Sequence, residues 1–277
     1  MNSSRYLACA PQYSTTGELL ATAARWRGMD IEVLTGPGAA AALKGRAGGH
    51  YFGGPGFAAR VVDDLDVALL EPEDDWLTSL PRAFAGRKVS STTLVQARAL
   101  PGPLFAKPPS AKSFPAAVYA DGSELPEVGE LPPETPVQIS EVVTWAREFR
   151  LFILDGECRT GSQYARFGRL ESAPLRGHAD EAAVRTFARD LLAAHGETLP
   201  SAVVLDVGVV ARAGGDEWAV VEANMPWFAN CYAADPDRAL DVVLRAAGPR
   251  SRLEARDRRF CRHFRTLPSW DWTSHPS

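Results

Sequence analysis

The chain has 277 residues, 45% of them hydrophobic and 23% charged, a composition that excludes an extended disordered polymer and suits two compact units at roughly 150 residues each. Thirty lysines and arginines against thirty-four acidic residues leave a formal charge of −4, which argues against a dedicated nucleic-acid coat but allows a local basic pocket. No uncharged apolar run reaches the roughly 18 residues that span a bilayer, and the opening ten residues lack a basic segment followed by a long apolar core, so the expectation is a cytoplasmic protein with no membrane and no nucleic-acid partner.

In chain order, Tyr6 to Ala10 reads as a short apolar strand, and Thr15-Thr16-Gly17-Glu18 offers a capping box for a helix through Leu19, Leu20, Ala23 and Trp26. Gly28 closes that helix, and Ile31 to Leu34 is the next strand, so a right-handed parallel crossover is expected. The glycine-rich stretch 36–56 has no G-K-[ST] sequel and no clear helix after it, which favours a mobile loop over a phosphate cradle. Val67 to Leu70 is a buried strand, and the acidic run 71–75 is a solvated turn. The first boundary falls near residue 78.

Pro81 to Leu100 is a polar helix candidate, and Leu104-Phe105-Ala106-Lys107 is a strand stopped by Pro108 and Pro109. The proline- and glutamate-rich stretch 121–136 suits a surface connection, after which Val137 to Val143 resumes strand character. Asp155-Gly156 is a hairpin turn after Phe149 to Leu154. Alternation puts Phe149, Leu151 and Ile153 on one face and Glu148 and Arg150 on the other, which an exposed sheet face would also explain. Pairing Leu154 with Glu157 places Arg150 opposite Gly161 and Glu148 opposite Gln163. Glu181 to His195 has amphipathic helical spacing, and Asp235-Pro236 starts a last helix that Gly248 stops. The tail beyond Pro249 is arginine-rich and carries Trp270-Asp271-Trp272.

The four cysteines, Cys9, Cys158, Cys231 and Cys261, form no C-x-x-C pair, and the five histidines form no H-E-x-x-H. Zinc-ribbon, thioredoxin-type and zincin chemistry are thereby excluded. The informative pattern lies at Val203 to Val210 and Trp218 to Asn224, two apolar strands flanking Gly214-Gly215, each interrupted by isolated polar groups. Glu222 and Asn224 are two apart and share a face. A two-residue loop at 214–215 would oppose Asp206 with Ala223 and put the acids on opposite faces, so an odd loop or a bulge is expected. Two carboxylates on one buried face need a cation, and oxygen ligands of this kind suit magnesium held together with nucleotide phosphates. An exposed hairpin with alternating polar groups is the competing reading.

Taken together, Phe105-Ala106-Lys107-Pro108, Gln138 to Val143, Glu148-Phe149-Arg150, Asp206 and Val221-Glu222-Ala223-Asn224 resemble, in order and spacing, the ATP-grasp superfamily, and in particular its small stand-alone carboxylate–amine ligases. The resemblance covers roughly residues 81–248. It implies an α/β chain with a small α/β N-terminal domain (1–78), an ATP-grasp domain (79–250) and a tail (251–277). It implies ATP and Mg2+ as cofactors. Lys107 would hold the phosphates, with Lys112 on a flap over them, and Ser140, Glu141, Val142 and Val143 would form the adenine hinge, with Glu141 near the hinge or ribose and Glu148 also placed at the nucleotide. Arg150 would face the γ-phosphate or an acyl phosphate, and Arg166 the substrate carboxylate or phosphate. Asp206, Glu222 and Asn224 would be the magnesium ligands. The implied reaction joins a small-molecule or peptide carboxylate to an amine through an acyl phosphate. A phosphotransferase of the same fold and a non-catalytic nucleotide-binding module are the alternatives. Two features stand apart from the pattern. The flap segment 110–117 has no glycine-rich run, and Met225 to Tyr232 is aromatic enough either to line an acceptor pocket or to pack as a turn.

Overall fold

The computed structural model describes residues 5–11, 14–109 and 113–264. The chain starts as β1 (Tyr6–Cys9), α1 (Thr15–Trp26) and β2 (Asp30–Val33), with β1 and β2 parallel and Tyr6 opposite Asp30. The helix cap is Ser14 rather than a threonine: its hydroxyl oxygen accepts the Gly17 N–H at 3.0 Å. Gly28, at φ +69°, ends the helix as expected.

The glycine-rich stretch is regular structure, contrary to the loop expected there. β3 (Gly49–Phe52) lies parallel to β1 on the side away from β2, every residue buried, and α2 (Pro55–Val61) opens directly after Gly54. The glycines mark close packing. A Cβ on Gly49 would fall 2.6 Å from the Tyr6 hydroxyl, and one on Gly53 2.3 Å from the Ala10 Cβ.

After β4 (Val67–Leu69) come α3 (Trp76–Ser79), α4 (Arg82–Ala85), β5 (Val89–Thr93) and α5 (Leu94–Ala97). The single helix expected over Pro81 to Leu100 is thus two single turns flanking a strand. Gly86 breaks it at φ +64°, and Val89-Ser90-Ser91-Thr92-Thr93 favours the extended form through its β-branched residues. Gly86 also abuts β13 (Glu217–Asn224), for its Cβ would sit 2.4 Å from that of Ala219. Gly86→Ala is therefore expected to cost about 2–4 kcal/mol, summing left-handed strain and overpacking, read as a lowered midpoint in urea unfolding.

β6 (Leu104–Lys107), β7 (Ala117–Tyr119) and β8 (Pro136–Ser140) join β5 in an antiparallel sheet of order β5-β8-β6-β7. Leu94, Leu104, Phe114 and Val137 form its small core. β8 stops at Ser140, short of the expected Val143.

A second antiparallel sheet has the order β11-β10-β9-β12-β13, with β9 (Trp145–Leu154), β10 (Glu157–Arg166), β11 (Arg169–Pro174) and β12 (Ala202–Val210). α6 (Glu181–His195) lies between β11 and β12 in the chain, and α7 (Pro236–Ala246) leads into β14 (Ala247–Pro249), which pairs with β4. Every residue of β12 is buried because both faces are covered. On one face Phe149, Leu151, Ile153, Val203 and Leu205 pack with Val184 and Leu191 of α6. On the other, Phe152, Ala202 and Val204 join Leu240 and Val243 of α7 and the core of the first, parallel sheet.

The face of β9 carrying Glu148 and Arg150 is therefore covered, and the exposed-face reading fails. The hairpin register also differs from a simple count. Leu154 does pair with Glu157, but a bulge at Arg159 shifts the rest, so Arg150 lies opposite Ser162, and a second bulge leaves Glu148 opposite Ala165. Part of the arginine-rich tail docks on β4, where Leu70 bridges to Cys261 and Arg262 N–H donates to the Leu69 carbonyl at 2.8 Å. Trp270 to Trp272 lies outside the described residues. Among those residues no helix is long and apolar enough to cross a membrane.

Candidate active site

β12 and β13 begin their pairing with Val210 opposite Glu217, a register that would oppose Asp206 with Val221. A bulge at Val221 corrects it, and Asp206 pairs with Glu222 and Val204 with Asn224. Because Asp206 also lies opposite Arg150 on β9, one row crosses four strands: Ser162, Arg150, Asp206, Glu222. The apolar face beneath α7 turns polar along this row.

Asp206 is fully buried and held by a bidentate pair: Arg150 Nε donates to Oδ1 at 2.9 Å and Nη2 to Oδ2 at 2.7 Å. Lys107, at the end of β6 in the other sheet, donates from its ammonium to Glu222 Oε2. The Asn224 amide donates to Glu222 Oε1 at 2.8 Å and to Asp206 Oδ2 at 3.4 Å. Two ion pairs from two sheets thus meet, joined through Asn224.

Burial pushes the Asp206 carboxyl up, with Arg150 opposing. Burial pushes Glu222 the same way, but the Lys107 ammonium and the Asn224 amide outweigh it and hold that carboxyl below its ordinary value. Glu148 is pushed up by burial and by the Asp206 and Glu222 charges, against a hydrogen bond from the Tyr164 hydroxyl at 2.8 Å.

Arg150 is also flanked by rings. Its guanidinium carbon lies 5.6 Å from the Tyr164 centroid and 5.3 Å from that of Tyr232, and the two rings stack at 5.2 Å. Tyr232 sits at φ +50°, a conformation uncommon outside glycine. The loop carrying it is tied down on both sides: Cys231 N–H donates to Thr16 Oγ1 at 3.0 Å and Ala233 N–H to Ser162 Oγ at 3.2 Å. The aromatic stretch after Asn224 therefore divides its work. Trp227 is buried with its indole N–H on the Leu70 carbonyl, while Tyr232 reaches the site.

The remaining expected residues are placed as follows. Ser140 ends β8, and its hydroxyl donates to the Glu141 carbonyl at 3.1 Å. The Glu141 carboxylate accepts the Lys88 N–H at 2.9 Å and pairs with Arg82 at 3.2 Å. Val142 is exposed and Val143 half-buried, in the short link between the two antiparallel sheets. Arg166 ends β10 exposed, 3.8 Å from Glu171, and none of the ion pairs or hydrogen bonds among the described residues joins it to the Arg150–Asp206 row. Lys112 lies outside the described residues.

Arg87 is the residue that the reading of the sequence missed. It is 6% exposed, and its guanidinium donates to the carbonyls of Ala85 at 3.0 Å, Val220 at 2.7 Å and Val221 at 3.1 Å. It therefore grips the bulge that brings Glu222 to Asp206. Burial lowers it to about 10, with Glu222 and Glu148 opposing, so it stays protonated at neutral pH. Arg87→Lys keeps the charge but cannot bridge three carbonyls, and it is expected to cost up to about a hundredfold in ATP turnover through misplacement of Glu222. Steady-state kinetics of a variant with native circular dichroism checks this.

Three carboxylates (Asp206, Glu222, Glu148) here face three cations (Arg150, Lys107, Arg87), leaving no surplus positive charge for a polyphosphate. The oxygen-only set of Asp206, Glu222 and Asn224 fits a hard divalent ion, which would supply that charge. Among the described residues no group of three or more His, Cys, Asp or Glu side chains is arranged to hold a metal, so such an ion would share its shell with phosphate oxygens.

An ATP-grasp domain family matches residues 84–242, more than half of the chain. The fold is similar to that of a RimK domain ATP-grasp protein from Sphaerobacter thermophilus (16% identity, 87% of this chain and 97% of that one, TM-score 0.50). It is also similar to N5-carboxyaminoimidazole synthetase from Staphylococcus aureus (10% identity, 88% and 78%, TM-score 0.53). A third similar structure is the ADP complex of an N5-carboxyaminoimidazole ribonucleotide synthetase (14% identity, 80% and 70%, TM-score 0.52). No curated protein matches the chain. At these identities the structural likeness speaks for the fold alone.

Proposed function

On the premise that the chain belongs to the ATP-grasp domain family, we propose that it is a magnesium- and ATP-dependent ligase that joins a carboxylate to an amine. One observation carries the reading: the Lys107–Glu222 and Arg150–Asp206 pairs, from two different sheets, meet in a single linked group. Phosphoryl transfer needs positioning and charge neutralisation more than it needs a covalent nucleophile.

In this reading Lys107 turns from Glu222 to the nucleotide phosphates, and Arg150, braced by Asp206 and two tyrosines, presents its outer edge to the transferring phosphoryl group. Asp206, Glu222 and Asn224 would hold magnesium, which when bound offsets the phosphate charge. The Ser140 to Val143 link would receive adenine through its main chain. The substrate carboxylate attacks the γ-phosphorus, giving an acyl phosphate and ADP. The amine then attacks the acyl carbon, phosphate leaves, and an amide remains. Arg166, at the exposed end of β10, is the candidate contact for the substrate's anionic group.

The test is a screen of amino acids and peptides against amines with ATP and magnesium, read as ADP release and product mass. Ligation is expected to require both substrates and to yield their summed mass less one water. A stable phosphorylated product would identify a phosphotransferase instead, and nucleotide binding without turnover a binding module.

A further inference from the structure

A cavity of about 560 Å³ lies at the opposite end of β9 from Arg150, bounded by Leu154, the end of α7 and the turns that follow β14. Five arginines line it. Three are neutralised within the protein: Arg27 and Arg159 share Asp241 at 2.6 and 3.3 Å, and Arg245 reaches Asp155 at 3.4 Å and Glu254 at 2.7 Å. Arg5 and Arg252 have no ion pair among the described residues, so the wall carries uncompensated positive charge.

The same wall contains His50, which is only 5% exposed. Its Nδ1 lies 2.9 Å from the Leu244 carbonyl. A carbonyl can only accept, so Nδ1 carries the proton, and burial, with Arg5 and Arg252 adding to it, lowers this histidine to about 4. Nε2 is therefore a bare acceptor, and it is buried with no hydrogen-bond partner. An unmet acceptor of this kind is costly unless something donates to it. The Arg159 Nε in the same wall is likewise buried without a hydrogen-bond partner.

We propose that this cavity is a second ligand site, separate from the nucleotide site, for a small hydroxylated phosphomonoester. The phosphate answers Arg5 and Arg252, since guanidinium pairs well with phosphate oxygens, and a ligand hydroxyl answers His50 Nε2. The volume falls in the range of small-molecule pockets, about 300–1,000 Å³. β9 and α7 both run from this cavity toward the other site, so an occupant would touch elements that carry Arg150 and cover its sheet.

The experiment uses the full chain with its nucleotide site filled by a non-hydrolysable ATP analogue and magnesium. Glycerol 3-phosphate is the probe, and the histidine ring nitrogens are followed by NMR, with His50 assigned by a His50→Gln variant. The expected result is a saturable shift at His50. Arg5→Ala and Arg252→Ala, both at exposed positions, are each expected to raise the half-saturation concentration about tenfold, about 1.4 kcal/mol, while Lys107→Ala leaves it unchanged. An unmoved His50, a response equal in the arginine variants, or one that follows Lys107 overturns the assignment.

Discussion

Glu222→Gln is expected to cut ATP-dependent turnover by at least about 10²–10³-fold, the scale of losing one preorganised electrostatic contact, while the protein stays folded. The amide has the shape of the carboxylate and can still accept from Lys107 and Asn224, so the stability change should stay within about 1–2 kcal/mol. Its pH dependence has a definite sign. Glu222 is held below the ordinary carboxylate value, so its contribution is present above the unfolded-state value and is lost as the pH falls through the folded one. The deficit of the variant should therefore be largest at neutral pH and close in acid. ADP release against magnesium concentration, with urea unfolding at neutral and acid pH, measures both. Normal turnover at limiting magnesium would falsify the role given to Glu222 and, with it, the proposed use of the site.

The parts of the site legible in the sequence are those where a polar residue interrupts an apolar run. Asp206 within Val203 to Val210, and Glu222 and Asn224 within Trp218 to Asn224, could not be paired without a bulge, and the bulge is at Val221. Lys107 stood out because prolines end its strand. Arg87 left no such mark. It follows a glycine in a polar segment, where arginines are usually solvated, and its burial comes from β13 folding over it. Arg159 was silent for a related reason, since a bulge residue keeps the alternation locally intact while shifting everything beyond it. β3 was hidden because four residues between glycines show no period, and only contact with Tyr6 and Ala10 reveals why the glycines are there. The general lesson is that local pattern reports on pairs within one strand or hairpin, whereas contacts between sheets, such as Lys107 with Glu222, become visible only when order and spacing are read together.

Arg150→Met is the second large effect, and here stability and activity should separate. The substitution keeps the volume between Tyr164 and Tyr232 but leaves the Asp206 carboxylate, fully buried, without its bidentate partner. Breaking a buried pair from one side costs about 3–5 kcal/mol. Asp206 is already pushed up by burial with Arg150 opposing, so removing Arg150 raises it further. A carboxyl raised in the folded state stabilises below its unfolded value and loses that contribution as the pH rises through the folded one. The deficit should accordingly be largest at neutral pH and shrink in acid. Asp206→Asn added to Arg150→Met removes the stranded charge, and the double variant is expected to regain stability by a coupling of about 1–3 kcal/mol. Turnover should not return, because neither the cation that faces the phosphoryl group nor a metal-ligating carboxylate is present. Urea unfolding of the four proteins in the cycle, alongside ADP release, distinguishes this from a purely structural pair: if activity recovers in step with stability, Arg150 acts only as a brace for Asp206.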